Sequence, residues 1–263
     1  MSRFQSKASL SLVELAAIIS IIAVLMTILF PAVGKIIDRF QRARAAKNLK
    51  MIAFAHANFI ADFGRAIRFS DLSALKNGST SHCDANLFAA VLAKHGYIKD
   101  ASVWAWDFDH LVKNYGRSHP LPTKIYDAST DRIAPEFAGP KTGGDFPLSV
   151  ACCVVQCPGF DYAQLLNPKF PCACSRGLCG DGRWQKKSAS NGGGIWGDRG
   201  GLIAFFDGHV EWFGHIINRF KKYNSTATTS SLCETLPNCH TENLADSCFV
   251  NWAGDGLSSG IHN

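Results

Sequence analysis

None of the ten cysteines falls in the first 82 residues of this 263-residue chain; all lie between Cys83 and Cys248. Charge is scarce as well. Only 18% of the residues are charged against 47% hydrophobic and 11% aromatic, a composition that excludes both a disordered polyelectrolyte and a polytopic membrane protein. No surplus of positive charge belongs to the body of the chain. The first 50 residues hold eight lysines and arginines against Glu14 and Asp38, and the other 213 hold 19 basic and 19 acidic residues, so the net +6 sits in one short segment. That balance excludes a basic nucleic-acid-binding body, and no nucleic-acid partner is expected. Also missing are a nucleophile elbow, a kinase motif set, an HExxH pair and a paired-carboxylate pattern, so the chain reads as non-enzymatic and no cofactor is expected. The Gly-rich stretch 192–201, GGGIWGDRGG, neither follows a clear strand nor opens a helix and ends without a Lys-Ser/Thr pair. It reads as a turn-rich loop, not as a phosphate cradle.

What is present begins with Leu10–Phe30, LSLVELAAIISIIAVLMTILF, whose polar members are Ser11, Glu14, Ser20 and Thr27. As a helix at about 1.5 Å per residue it is roughly 32 Å long, enough to cross a bilayer core. A plain membrane anchor and a secretory signal cut before Lys35, with Ala32 and Gly34 as the small residues, are two readings. Neither accounts for Glu14, because a carboxylate inside an apolar span costs several kcal/mol on some scales unless it finds a partner. A free ammonium group at a new N-terminus would be such a partner.

The segment from Lys7 through Ser9, Leu10, Glu14 and Leu15, followed by the apolar run and Pro31, resembles the class III leader of type IV pilins and type II secretion pseudopilins. The resemblance implies cleavage by a prepilin peptidase between Ser9 and Leu10, N-methylation of Leu10, an assembly and register role for Glu14, and a helix kink at Pro31. Ser9 and Leu10 stand where that family commonly has Gly and Phe, and a cut after Ala8 would place Glu14 one residue further along. The implied partners are the prepilin peptidase, other pilin or pseudopilin subunits in a homo- or hetero-filament, and inner-membrane lipids.

Beyond Pro31 a helical pattern continues to about Asp62. Ile36, Ile37, Phe40, Ala43, Leu49, Ile52, Ala53 and Phe59 are expected on or near one stripe packed on a globular head, with Gly64 as the stop. Lys35, Arg39, Arg42, Arg44, Lys47 and Lys50 form a basic neck, solvated or touching anionic headgroups or acidic patches on neighbouring subunits. By charge bias alone this neck would hold the body in the cytoplasm. Cysteine usage and the resemblance both place it outside, because ten cysteines without metal or catalytic motifs fit an oxidising compartment.

In the body, Ala85–His95 reads as a short helix broken at Gly96, and Trp104 and Trp106 read as core aromatics. Leu202–Phe213, LIAFFDGHVEWF, reads as a hairpin whose two-residue loop is Asp207-Gly208 in a type I′ turn. This hairpin, NLFAAVLAKHGYIKDASVWAWDFD at residues 86–109 and SRGLCGDGRW at residues 175–184 resemble segments of pilin-like proteins of the H-X9-DG class. Gly197 stands where that pattern has His. Asp207, His209 and Glu211 lack a second ligand at metal spacing, so no metal is expected. Cys152, Cys153, Cys157, Cys172, Cys174 and Cys179 form one group and Cys233, Cys239 and Cys248 another. Disulfides of unassigned pairing are favoured over zinc and over free thiols, because adjacent cysteines in Gly- and Pro-rich loops act more naturally as staples.

The expectation is therefore an α+β pilin-like protein: leader 1–9, long helix 10–62 with 10–30 transmembrane, head 63–222 carrying an antiparallel sheet, and a loosely folded Cys-containing tail 223–263. It would lie single-pass in the inner membrane with its body in the periplasm or on the cell surface, as a structural filament subunit. The alternative is a membrane-tethered exported binding protein that does not polymerise, favoured if Trp104, Trp106 or Trp196 were grouped on an exposed surface.

Overall fold

The computed structural model describes residues 11–76, 85–138, 146–155, 162, 170–179, 181–187, 193–222, 225–235 and 247–250. The fold is α+β, and the chain divides into two compact units, Met1–Ala43 and Arg44–Asn263. From Leu12 on, the described residues of the first unit are helical.

One helix, α1 (Leu12–Phe63, 52 residues), runs through the division. It ends as the sequence predicts: Gly64 adopts φ +63 and its N–H donates to the Ile60 carbonyl at 2.8 Å, the left-handed cap that glycine accepts without a Cβ clash. Short helices follow at α2 (Phe69–Ala74), α3 (Ala85–Lys94) and α4 (His110–Ser118). Next come a small ribbon, β1 (Tyr126–Asp127) and β2 (Arg132–Ile133), and α5 (Pro135–Ala138). The main sheet uses β3 (Val150–Val155), β4 (Pro171–Ser175), β5 (Gly201–Phe205) and β6 (Val210–Phe213), and a second ribbon pairs β7 (Phe220–Lys221) with β8 (Thr228–Thr229). The last strand is β9 (Ser247–Val250).

The sheet is antiparallel throughout, in the order β6-β5-β4-β3-β9. Every residue of β4 and of β5 is buried, so the centre of the sheet is covered on both faces, and its apolar runs are continuous instead of alternating. The tail departs from expectation. Ser247–Val250 pairs with β3 in the register Cys152↔Val250 to Val155↔Ser247, so this part of the tail forms an edge of the head's sheet.

The single packing stripe expected along α1 is also corrected. Leu49, Ile52, Ala53 and Phe59 are buried in the core, but Ile36, Ile37 and Phe40 are 64%, 50% and 62% exposed. At about 100° per residue, Ile36, Ile37 and Phe40 stand roughly 120–180° round the helix from Leu49. Ile37, however, lies within about 40–60° of Phe59 and Ile52, so it shares their side of the helix and is exposed because it precedes Ala45, where burial begins.

Candidate functional site

From Leu12 to Phe30, α1 is apolar and exposed on all sides, and it is long and apolar enough to cross a membrane. The polar residues within it are satisfied by the helix itself. Ser20 Oγ donates to the Ala16 carbonyl and Thr27 Oγ1 to the Val24 carbonyl, each at 2.7 Å. At the start, the Ser11 N–H donates to Glu14 Oε2 at 2.8 Å and the Glu14 N–H donates to Ser11 Oγ at 3.2 Å. This reciprocal pair is a capping box, which satisfies two backbone donors that a helix N-terminus otherwise leaves open. Its signature, Ser-x-x-Glu ahead of an apolar run, is legible in the sequence and supplies a local role for Glu14. Ser9 and Leu10, the expected cleavage and methylation positions, lie outside the described residues, and α1 is helical through Pro31.

The hairpin is present with a different turn. Gly201↔Phe213 to Ala204↔Val210 fixes the register, and the Phe205 N–H donates to the His209 carbonyl at 3.0 Å, leaving three loop residues instead of two. The Gly208 N–H donates back to the Phe205 carbonyl at 2.9 Å. Gly208 alone of the pair has positive φ, +85, so Asp207 is not in the left-handed region that a type I′ turn demands. Asp207 Oδ1 instead accepts the His209 N–H at 3.1 Å, and the His209 ring stacks on Phe205 at 4.0 Å. Phe54 of α1 lies under the turn, where a Cβ on Gly208 would come within 2.6 Å of its ring.

The cysteine expectation is corrected at two positions. Cys152 and Cys172 are buried thiols. Cys152 faces Ala173 on one side and Val250 on the other, and Cys172 falls where the β4–β5 register shifts. Burial first, and neighbouring thiols second, push both well above the ordinary thiol range, which disfavours the nucleophilic thiolate. Cys153 and Cys174 are buried in the same strands and Cys179 is half-buried. Cys157 and Cys239 lie outside the described residues; Cys233 follows β8, and Cys248 lies in β9.

The best-connected polar site went unseen in the sequence. Asp109 and Arg176, both fully buried, form an ion pair in which Arg176 Nη2 donates to Asp109 Oδ1 at 2.6 Å. Asp109 also caps α4 by accepting the Leu111 N–H at 3.0 Å, and takes the Ser149 hydroxyl at 2.8 Å. Ser149 Oγ in turn accepts the Trp106 N–H at 3.0 Å, and Arg176 Nη1 donates to the Gly193 carbonyl at 2.6 Å. One network thus ties α4, the approach to β3, the end of β4 and the Gly-rich loop. Gly177, at φ +96, lets that loop close on β4, since a Cβ there would stand 2.2 Å from Gly194 Cα. The SRGLCGDGRW segment is accordingly a packing element, and its only sequence signals were an N-cap Asp and a lone Arg beside cysteines.

Trp104, Trp106 and Trp196 are 0%, 1% and 3% exposed, so they build the core and offer no surface for a ligand. His56, on α1, is buried between Phe88 at 5.1 Å and Phe206 at 5.0 Å, and burial lowers its pKa to about 3. Among the described residues no group of three His, Cys, Asp or Glu side chains is placed to hold a metal ion. No protein-family model, no curated protein and no solved structure matches the chain.

Proposed function

We propose that the protein is a structural subunit of a type IV pilus or type II secretion pseudopilus, matured by prepilin peptidase and assembled through α1. The observation that carries the reading is the division of labour along one helix. Its N-terminal part exposes apolar side chains on every side and holds a single carboxylate, Glu14, in its first turn; the part from Ala45 onward is the spine of a head with an antiparallel sheet. Such a helix is soluble in lipid before assembly and can pack against copies of itself afterwards. Glu14 then meets the terminal ammonium of a neighbour, which offsets its desolvation and fixes the register.

In this reading the head is the outer surface of the filament and carries no catalysis. The membrane-tethered binder loses its best support, since the tryptophans that would have formed its surface are buried. The test is the N-terminal mass of the native protein recovered from membranes. A methylated terminus at Leu10 is expected; an intact Met1 or a terminus at Lys35 would overturn the proposal.

A further inference from the structure

The segment just beyond the apolar run is amphipathic in a way that neither a span nor a solvated neck requires. Val33, Ile36, Ile37 and Phe40 are 38%, 64%, 50% and 62% exposed. At about 100° per residue they fall on one face roughly 100° wide; Lys35 and Arg42 fall on the opposite side, and Arg39 flanks the stripe about 60° from Ile36. Lys35 and Arg39 are exposed, while Arg42 holds Asp38 at 2.7 Å. An apolar stripe opposed by cations is the pattern of a helix lying in the interface of an anionic membrane, its apolar face at the acyl boundary and its cations at the phosphates.

Distance along the helix supports the same placement. Leu12–Phe30 is roughly 28 Å long, which about fills the hydrocarbon core of a bilayer, and Val33–Phe40 covers about 10 Å more. Apolar length in excess of the core is accommodated by tilt, and a tilted helix leaves the bilayer with one side turned toward it. A stripe on that side is covered by lipid, and lysine and arginine stems reach from the other side to the phosphate level.

We propose that Val33–Ala43 is an anionic-lipid-binding collar: the exposed stripe of Val33, Ile36, Ile37 and Phe40 seats in the headgroup layer, and Lys35 and Arg39 hold lipid phosphates. The occupant is anionic lipid because the net positive charge is confined to this end of the chain and continues in sequence through Arg44, which pairs with Asp107 at 3.0 Å, and through Lys47 and Lys50. The inference rests on the reading of α1 as a membrane span. Its consequence is a subunit held at a defined depth, with its first turn, and so Glu14, at a fixed level in the membrane.

The test uses the full-length chain in vesicles of phosphatidylcholine and phosphatidylglycerol in equal parts, with a trace of either lipid spin-labelled. The protein-immobilised fraction of each label gives their relative association. The expected preference for phosphatidylglycerol is about threefold to tenfold at low salt and shrinks as salt screens it. Replacing Lys35→Gln with Arg39→Gln brings the ratio to less than about twofold, whereas Lys113→Gln with Arg117→Gln, exposed on α4, leaves it unchanged. Equal association of both lipids with the wild-type chain overturns the proposal. So does a neck variant that keeps the wild-type ratio; if that variant also loses self-cross-linking, the cations serve an acidic surface on another copy. A chain that fails to float with the vesicles removes the membrane-span reading as well, whereas flotation without lipid preference removes the collar alone.

Discussion

His56 illustrates how one buried titratable group makes the head sensitive to pH. It sits in the apolar seam between α1, α3 and the hairpin, with Nε2 facing the Ile67 N–H at 3.5 Å and no partner for Nδ1 among the described residues. Burial disfavours the imidazolium, so the folded pKa is lowered to about 3 from 6.5. The unfolded chain takes up the proton first. The stabilising effect of the neutral ring is therefore complete above about pH 6.5 and is lost as pH falls from there toward 3. Between about pH 7 and pH 5 the head should lose about 2 kcal/mol, read from urea denaturation followed by tryptophan fluorescence. His95, also lowered by burial, adds a smaller share from its exposed position, and the carboxylates held low, Asp71 and Glu234, contribute at more acid pH. A His56→Leu variant should flatten the slope between those two pH values; an unchanged slope would assign the acid sensitivity elsewhere.

The elements of the head are joined by a contact that no local pattern announces. Asp109 and Arg176 are 67 residues apart in sequence and Asp109 and Ser149 are 40 apart, yet they meet in one buried network. Removing one partner leaves the other charge buried and uncompensated, so Asp109→Ala should cost about 3–5 kcal/mol, while Asp109→Leu combined with Arg176→Met should cost less than Asp109→Ala alone. Denaturation midpoints of the three proteins decide this, and a double variant as unstable as the single one would show that the pair's fixed geometry matters more than its charge. The same separation explains what sequence reading could reach. The long helix and its Gly64 stop, the helix over Ala85–Lys94, and the hairpin around Asp207-Gly208 each follow from periodicity or turn chemistry within a dozen residues or so. The pairing of Ser247–Val250 with β3 does not, because its polar, Gly-rich surroundings resemble a loose tail until a strand far upstream is placed beside it. That Ile36 does not continue the stripe of Leu49 was legible in principle, since counting residues from one to the other already places those two on different sides of α1.

Across the whole molecule, the first turn of α1 gives Glu14 two roles that substitutions can separate. One is local: it closes the capping box with Ser11, a contribution of about 1 kcal/mol to the start of the helix. The other belongs to the proposed filament, where its charge meets a neighbour's terminal ammonium. Glutamine can still accept the Ser11 N–H, so Glu14→Gln keeps the box and removes the charge, whereas Glu14→Ala removes both. If the charge drives assembly, both variants should enter the membrane as the wild type does, and neither should give filaments in sheared surface fractions or on electron micrographs. If Glu14 acts only as a cap, Glu14→Gln should assemble normally and Glu14→Ala should be the sole defective chain. Normal filaments from Glu14→Gln would therefore remove the ammonium–carboxylate contact from the mechanism and leave the apolar surface of Leu12–Phe30 as the force that brings subunits together.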